Sequence, residues 1–181
     1  QLLKEHKVKI TFQKKSNGTA GAAEAGSKII SSKNRKVLIL CGDAPFITTH
    51  SIKSMIKKIS NADACVGTVE LDIPKGYGRI IRQGNKISEI VEERDSTIEQ
   101  RSIREVNTGV ISIHNNVLSQ FITEIKNNNA KKEFYLTDII KILINKKYKI
   151  NTFKFSDDLE VAGVNSKVDL VNLEKKYLLR K

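Results

Sequence analysis

A chain of 181 residues with 39% hydrophobic content suits a single domain with a sizeable core and excludes a disordered segment. The formal net charge is +12, but Lys14-Lys15, Lys57-Lys58, Lys131-Lys132, Lys146-Lys147 and Lys175-Lys176 are scattered, which describes a solvated surface attractive to polyphosphates rather than one nucleic-acid patch. With 6% aromatics and no Trp no base-stacking platform is visible, no apolar run reaches membrane-span length, and charges occupy the start where a signal peptide has its apolar core, so the expectation is a cytoplasmic protein without a membrane partner.

The chain starts at Gln1 rather than Met, and Gln1 to His6 reads as the end of a helix already under way, so a downstream piece of a longer protein is expected. Val8 to Gln13 alternates apolar and polar and predicts a strand. Ser16 to Thr19 is a turn, and the small residues from Ala20 to Ile30 predict a helix packed closely on a sheet. Val37 to Leu40, bounded by Arg35, Lys36 and Gly42, predicts a strand buried on both faces. Gly42, Asp43 and Pro45 then turn the chain and leave one carboxylate at the sheet rim, where open α/β sheets bind ligands.

Ile52, Met55, Ile56 and Ile59 recur at helical spacing, so Thr49 to Ile59 is a helix capped by Thr48 or Thr49. Ala62 to Leu71 is β-branched and apolar, a core strand. Tyr77 to Arg82 and Lys86 to Val91 flank Gln83-Gly84-Asn85 as an antiparallel hairpin insertion. A charged loop from Glu92 to Arg104 leads to a strand at Val106 to Ile113 and a short helix at Val117 to Ile125. Leu136 to Asn145 is a helix with Thr137 in its first turn, Tyr148 to Phe155 a strand, and Leu159 to Val164 a short final strand. Ser166 caps a last helix from Lys167 to Leu179. Cys41 and Cys65 lie in apolar runs without metal-type spacing and are expected as buried free thiols.

Several residues admit a chemical reading beside a structural one. Asp43 is either a turn cap or a metal ligand; Mg²⁺ needs only one or two protein oxygens, its other positions going to water and phosphate. Asn165 closes the apolar run Val161 to Val164 and is either an N-cap or a second oxygen donor. Gly18-Thr19 is either a plain strand-to-helix turn or a place where free backbone N–H groups meet an acceptor.

The ordered series Gln13 with Gly18-Thr19, Gly42-Asp43-Ala44-Pro45, Gly76-Tyr77-Gly78-Arg79-Ile80, Ile90-Val91-Glu92-Glu93, Glu105-Val106-Asn107-Thr108-Gly109, Glu133 to Asp138 and Gly163-Val164-Asn165 closely resembles the uridylyltransferase domain of the bacterial bifunctional enzyme that makes UDP-N-acetylglucosamine. The resemblance runs from Gln1 into the last helix. It implies one nucleotidyltransferase domain over residues 1–181, of Rossmann-like, glycosyltransferase-A-type α/β fold with a mixed central sheet flanked by helices. It implies transfer of UMP from UTP to N-acetylglucosamine 1-phosphate with Mg²⁺, Gln13, Gly18 and Thr19 holding uracil. Gly42 and Asp43 would meet the nucleotide, Asp43 and Asn165 the metal, and Gly78, Glu92, Asn107 and Thr137 the sugar. The family's opening GxGTRM-like phosphate loop with its Arg and Lys has no counterpart in the sequence, and Cys41 and Gly21 replace the usual Tyr and His. A domain truncated before its phosphate loop is therefore expected, the missing segment being removed, lost from the gene, or encoded separately and supplied in trans. The alternatives are a non-catalytic sugar-nucleotide-binding remnant and an enzyme for another sugar 1-phosphate.

Overall fold

The computed structural model describes residues 8–32 and 34–179; the half-helix expected at Gln1 to His6 lies outside them. A mixed sheet is built around β2 (Ala64–Glu70) and β5 (Glu105–His114), which pair antiparallel from Ala64 opposite Ile113 to Glu70 opposite Glu105. Every β2 residue except Glu70 is buried. Such a run of small and β-branched residues fits a strand covered on both faces. The ladder slips between Val66 and Thr68, where Gly67 leaves no side chain. A Cβ there would come 2.6 Å from Thr108 Oγ1, too close for any other residue at this bulge.

β6 (Ile150–Lys154) adds parallel to β2, while β3 (Arg79–Gln83) and β4 (Lys86–Val91) form the expected hairpin, giving the order β4-β3-β5-β2-β6. β1 (Lys36–Ile39) pairs antiparallel with Ile111 to His114 of β5, on the edge that β3 meets at Val106. Successive side chains of a strand point to opposite faces, so the sheet carries two apolar layers. Ala64, Val66, Ile111 and Ile113 pack with Leu118 of α4 (Asn115–Phe121) and with Ile139, Ile140 and Leu143 of α5 (Asp138–Asn145). Cys65, Val69, Val106 and Val110 pack with Met55 and Ile59 in and after α2 (Thr49–Lys58), and with Phe155 and Val161. α1 (Thr19–Lys28) rests on the first layer through Ala20 and Ala23. No helix among the described residues is long and apolar enough to cross a membrane.

The structure departs from the sequence expectations at several places. Val8 to Gln13 forms no ladder among the described residues, and Phe12 is 85% exposed; alternation alone does not make a strand without a partner strand to hydrogen-bond. Val37 to Leu40 is not a fully buried strand. It is half-covered, with Leu40 exposed, because β5 is its one partner among the described residues. Leu159 to Val164 is not a strand either. The side chain of Asp157 accepts from Leu159 N–H at 2.8 Å and starts a 3-10 turn over Asp158–Val161. The short helix predicted at Val117 to Ile125 is α4, begun earlier at Asn115, followed by a 3-10 turn over Ile122–Glu124. The charged loop after Glu92 contains a 3-10 turn at Glu93–Asp95 and α3 (Ile98–Arg101), begun by a Thr97/Gln100 capping box. Cys65 is buried as expected, but Cys41 is exposed.

Candidate functional site

Beyond β1 the chain turns through Gly42 and delivers Asp43, half-buried, into a cleft of about 400 Å³. On the opposite side the segment before α6 (Lys167–Leu178) delivers Asn165. Two links fasten these segments together. Val164 N–H donates to the Asp43 carbonyl at 3.0 Å, and Glu160 Oε2 accepts from Thr48 N–H at 3.0 Å and from Thr48 Oγ1 at 2.8 Å. Gly163 lies between the acidic and amide groups: a Cβ there would stand 3.1 Å from Asp43 Oδ2 and 3.6 Å from Asn165 Nδ2. Only a residue without a side chain leaves that approach open.

The helix-capping alternative is excluded for both residues. Ser166 caps α6 by accepting from Asp169 N–H at 3.1 Å, so the Asn165 side chain is released from that duty while its backbone N–H donates to Asp169 Oδ2. α2 is capped by Thr48, which accepts from Ser51 N–H. The Asp43 carboxylate accepts no hydrogen bond among the described residues. Both groups are available to a ligand.

The far wall is built on the hairpin and β5. Asn107 N–H donates to the Gly78 carbonyl at 2.8 Å, and a Cβ on Gly78 would lie 3.2 Å from Glu92 Oε1. Thr137 Oγ1 donates to Glu92 Oε1 at 3.2 Å. Burial pushes the Glu92 carboxyl above its usual range, and the Thr137 hydrogen bond opposes that only in part. Asn107 is 8% exposed, lines the cleft, and its Oδ1 has no hydrogen-bond partner among the described residues. An orphaned buried acceptor costs stability unless something else supplies a donor. Cys41 and Tyr77 also line the cleft, and both are held above their ordinary pKa, first by desolvation and then by the Asp43 charge; for Cys41 this reflects a sulfur turned inward toward Gly109 on a residue that is otherwise exposed.

Not all the residues singled out in the sequence meet there. Asp43, Gly78, Glu92, Asn107 and Asn165 line one cleft, and Thr137 joins it through Glu92. Gln13, Gly18 and Thr19 form a separate cluster. Gln13 Nε2 donates to Asn17 Oδ1 and to the Gly18 carbonyl, and Thr19 Oγ1 accepts from Leu136 N–H. Gly18 is required there by its φ of 117° and because a Cβ would meet the Phe134 carbonyl at 2.5 Å. A Cβ on Gly21 would come within 2.3 Å of Asn17 Oδ1 and 2.7 Å of Gln13 Nε2, so a larger residue there would have to displace these two side chains. Gly42 stays in the exposed turn, outside the lining. Lys75 and Asp169 line the cleft and were not singled out; the Pro-Lys-Gly run before the hairpin was the only signal for Lys75.

The Nucleotidyl transferase family profile matches residues 2–162. The chain belongs to that family. It is 43% identical over 171 residues to the bifunctional protein GlmU of Thermosipho melanesiensis, covering 93% of this chain and 36% of that protein. It is 39% identical over 175 residues to the bifunctional protein GlmU of Carboxydothermus hydrogenoformans, covering 95% of this chain and 39% of that one. The chain thus spans little more than a third of these curated relatives. In three dimensions it is similar to a UDP-glucose pyrophosphorylase complexed with UDP-glucose, with a TM-score of 0.70 at 17% identity, over 93% of this chain and 65% of the other. That likeness establishes the glycosyltransferase-A-type α/β fold.

Proposed function

We propose that this nucleotidyltransferase domain handles a uridine sugar nucleotide, transferring UMP from UTP to N-acetylglucosamine 1-phosphate with release of pyrophosphate. The observation that carries the reading is the single cleft that collects Asp43, Gly78, Glu92, Asn107 and Asn165 from segments far apart in sequence. Similarity to the GlmU proteins supports the choice of substrate. In the reaction a sugar-phosphate oxygen attacks the α-phosphorus in line and the bond to pyrophosphate breaks, so the protein's work is to align two anions and disperse charge.

The residues on the page divide that work by position. Glu92 and the orphaned Asn107 Oδ1 suit the hydroxyl and acetamido N–H donors of the sugar, while the Gly78 backbone lets the ring approach the wall. Lys75 brings a cation to a lining that otherwise holds Asp43, Glu92 and Asp169. Asp43 and Asn165 suit Mg²⁺ by donor type: Asp43 Oδ2 faces the open place beside Gly163, and Asn165, whose Nδ2 faces it, would offer its amide oxygen on rotation of the side-chain amide, with the remaining positions left to water and phosphate. Mg²⁺ bound there would neutralise phosphate charge. The Gln13, Gly18 and Thr19 cluster is proposed for uracil, connected to the sugar wall through Thr19, Leu136 and Thr137.

Calorimetry with UDP-N-acetylglucosamine, with and without Mg²⁺, tests binding; pyrophosphate release from UTP and N-acetylglucosamine 1-phosphate tests turnover. Binding that weakens on chelation and by about tenfold in Asn107→Ala supports the reading. No binding at millimolar ligand overturns it. Binding without turnover favours the non-catalytic alternative.

A further inference from the structure

Arg79 opens β3 with its side chain only 3% exposed, yet its ion-pair partner Glu93 is 3.4 Å away with a side chain 29% exposed. A long, half-solvated pair is a poor stabilising device, and an apolar residue would fill a buried strand position at lower desolvation cost. The guanidinium is instead used as a fork. Nη1 donates to the Tyr77 carbonyl, Nε and Nη2 donate to the Arg101 carbonyl at 3.4 Å, and Nη2 also meets Glu93 Oε2. The same Glu93 oxygen accepts from Gly76 N–H. One buried cation therefore ties the loop before the hairpin, the turn after Glu92 and the end of α3 to each other. These are the segments that set Gly78 against Glu92.

We infer that Arg79 is the positioning residue of the sugar wall: its fork fixes the separation of Gly78 and Glu92 without itself facing the ligand. The inference rests on the sugar reading given above for that wall. Arg is suited to this because its planar donors engage several acceptors at fixed angles, whereas a Lys ammonium is a single mobile point. In catalysis, misplacing a positioned substrate by about 1 Å can cost roughly a hundredfold in rate.

The test uses Arg79→Met, Arg79→Lys and Glu93→Gln, the last at a partly exposed position where folding is retained. Amide hydrogen exchange of residues 75–78 and 93–102 reads the fork directly, without ligand. Calorimetry with UDP-N-acetylglucosamine and with UMP separates the sugar wall from the uracil cluster. The expected result is exchange faster by roughly tenfold or more in both loops, with the amides of β2 and of Val110 to Ile113 in β5 unchanged. UDP-N-acetylglucosamine affinity should fall roughly tenfold while UMP affinity holds within about twofold; Lys should rescue little and Glu93→Gln should show the smaller shift in the same direction. Unchanged loop exchange in Arg79→Met and Glu93→Gln overturns the fork. Equal loss of both ligands, or of neither, overturns its role at the sugar wall. Failure of the unsubstituted chain to bind UDP-N-acetylglucosamine overturns the sugar reading instead, and the exchange measurement still decides whether Arg79 is a fork.

Discussion

At Glu92 binding and stability pull apart. Its folded pKa is raised by burial, so the native state holds the proton more tightly than the unfolded chain does. Stability attributable to this residue is therefore greatest below the unfolded value of about 4.3 and is lost as pH rises from there through the folded value. Glu92→Gln keeps the acceptor for Thr137 and removes the titration. It should melt higher than the unsubstituted chain at pH 7, and the difference should close by about pH 4; melting curves across that range check it. The same substitution should weaken UDP-N-acetylglucosamine binding at neutral pH. A neighbouring prediction concerns Gly109, whose φ is +76° and where a Cβ would lie 2.8 Å from Cys41 Sγ. Gly109→Ala should destabilise by about 1–3 kcal/mol, read from urea unfolding.

Between elements, the links that join the Asp43 and Asn165 segments make α2 part of the site's scaffolding. Thr48 caps the helix and shares Glu160 with the opposing segment. Thr48→Ala should cost about 1–2 kcal/mol, a fall in Tm of several degrees at this chain length, with the Mg²⁺ dependence of ligand binding becoming weaker. Elements with a strong internal signal were legible in the sequence: the helical spacing of Ile52, Met55 and Ile56, and the Gly84 turn of the hairpin. Others depend on what lies beside them. Val8 to Gln13 alternates well but pairs with no strand among the described residues, and Val37 to Leu40 is apolar without being enclosed. The Asp157 turn comes from one side-chain hydrogen bond that no periodicity encodes. Of the candidate site, Asp43, Gly78, Glu92, Asn107 and Asn165 were legible as an ordered motif series. The Arg79 fork was not, because a buried Arg in a strand looks like a surface residue until its acceptors converge.

For the whole molecule, 32 basic residues against 20 acidic ones set a field that reaches beyond any single contact. Attraction of an anionic ligand through that field is screened over about 10 Å at 0.1 M salt. Association of UTP measured by stopped flow should slow several-fold between 0.05 and 0.5 M NaCl, while Tm rises slightly as self-repulsion is damped. The acids in the cleft lining, Asp43, Glu92 and Asp169, make the local balance different from the global one, so lowering Mg²⁺ should raise the dissociation rate far more than salt does.

The strand shared by β1, β2 and β3 also sets a timetable. β1 at Lys36–Ile39 must wait for Ile111–His114, and β2 for the whole of β5. At a ribosome adding roughly 5–20 residues per second, the apolar stretches Val37 to Leu40 and Ala64 to Val69 stay without their partner for a time on the order of seconds. The newborn chain therefore spends its synthesis with two sticky segments exposed, and the strand that relieves both is the one carrying Asn107.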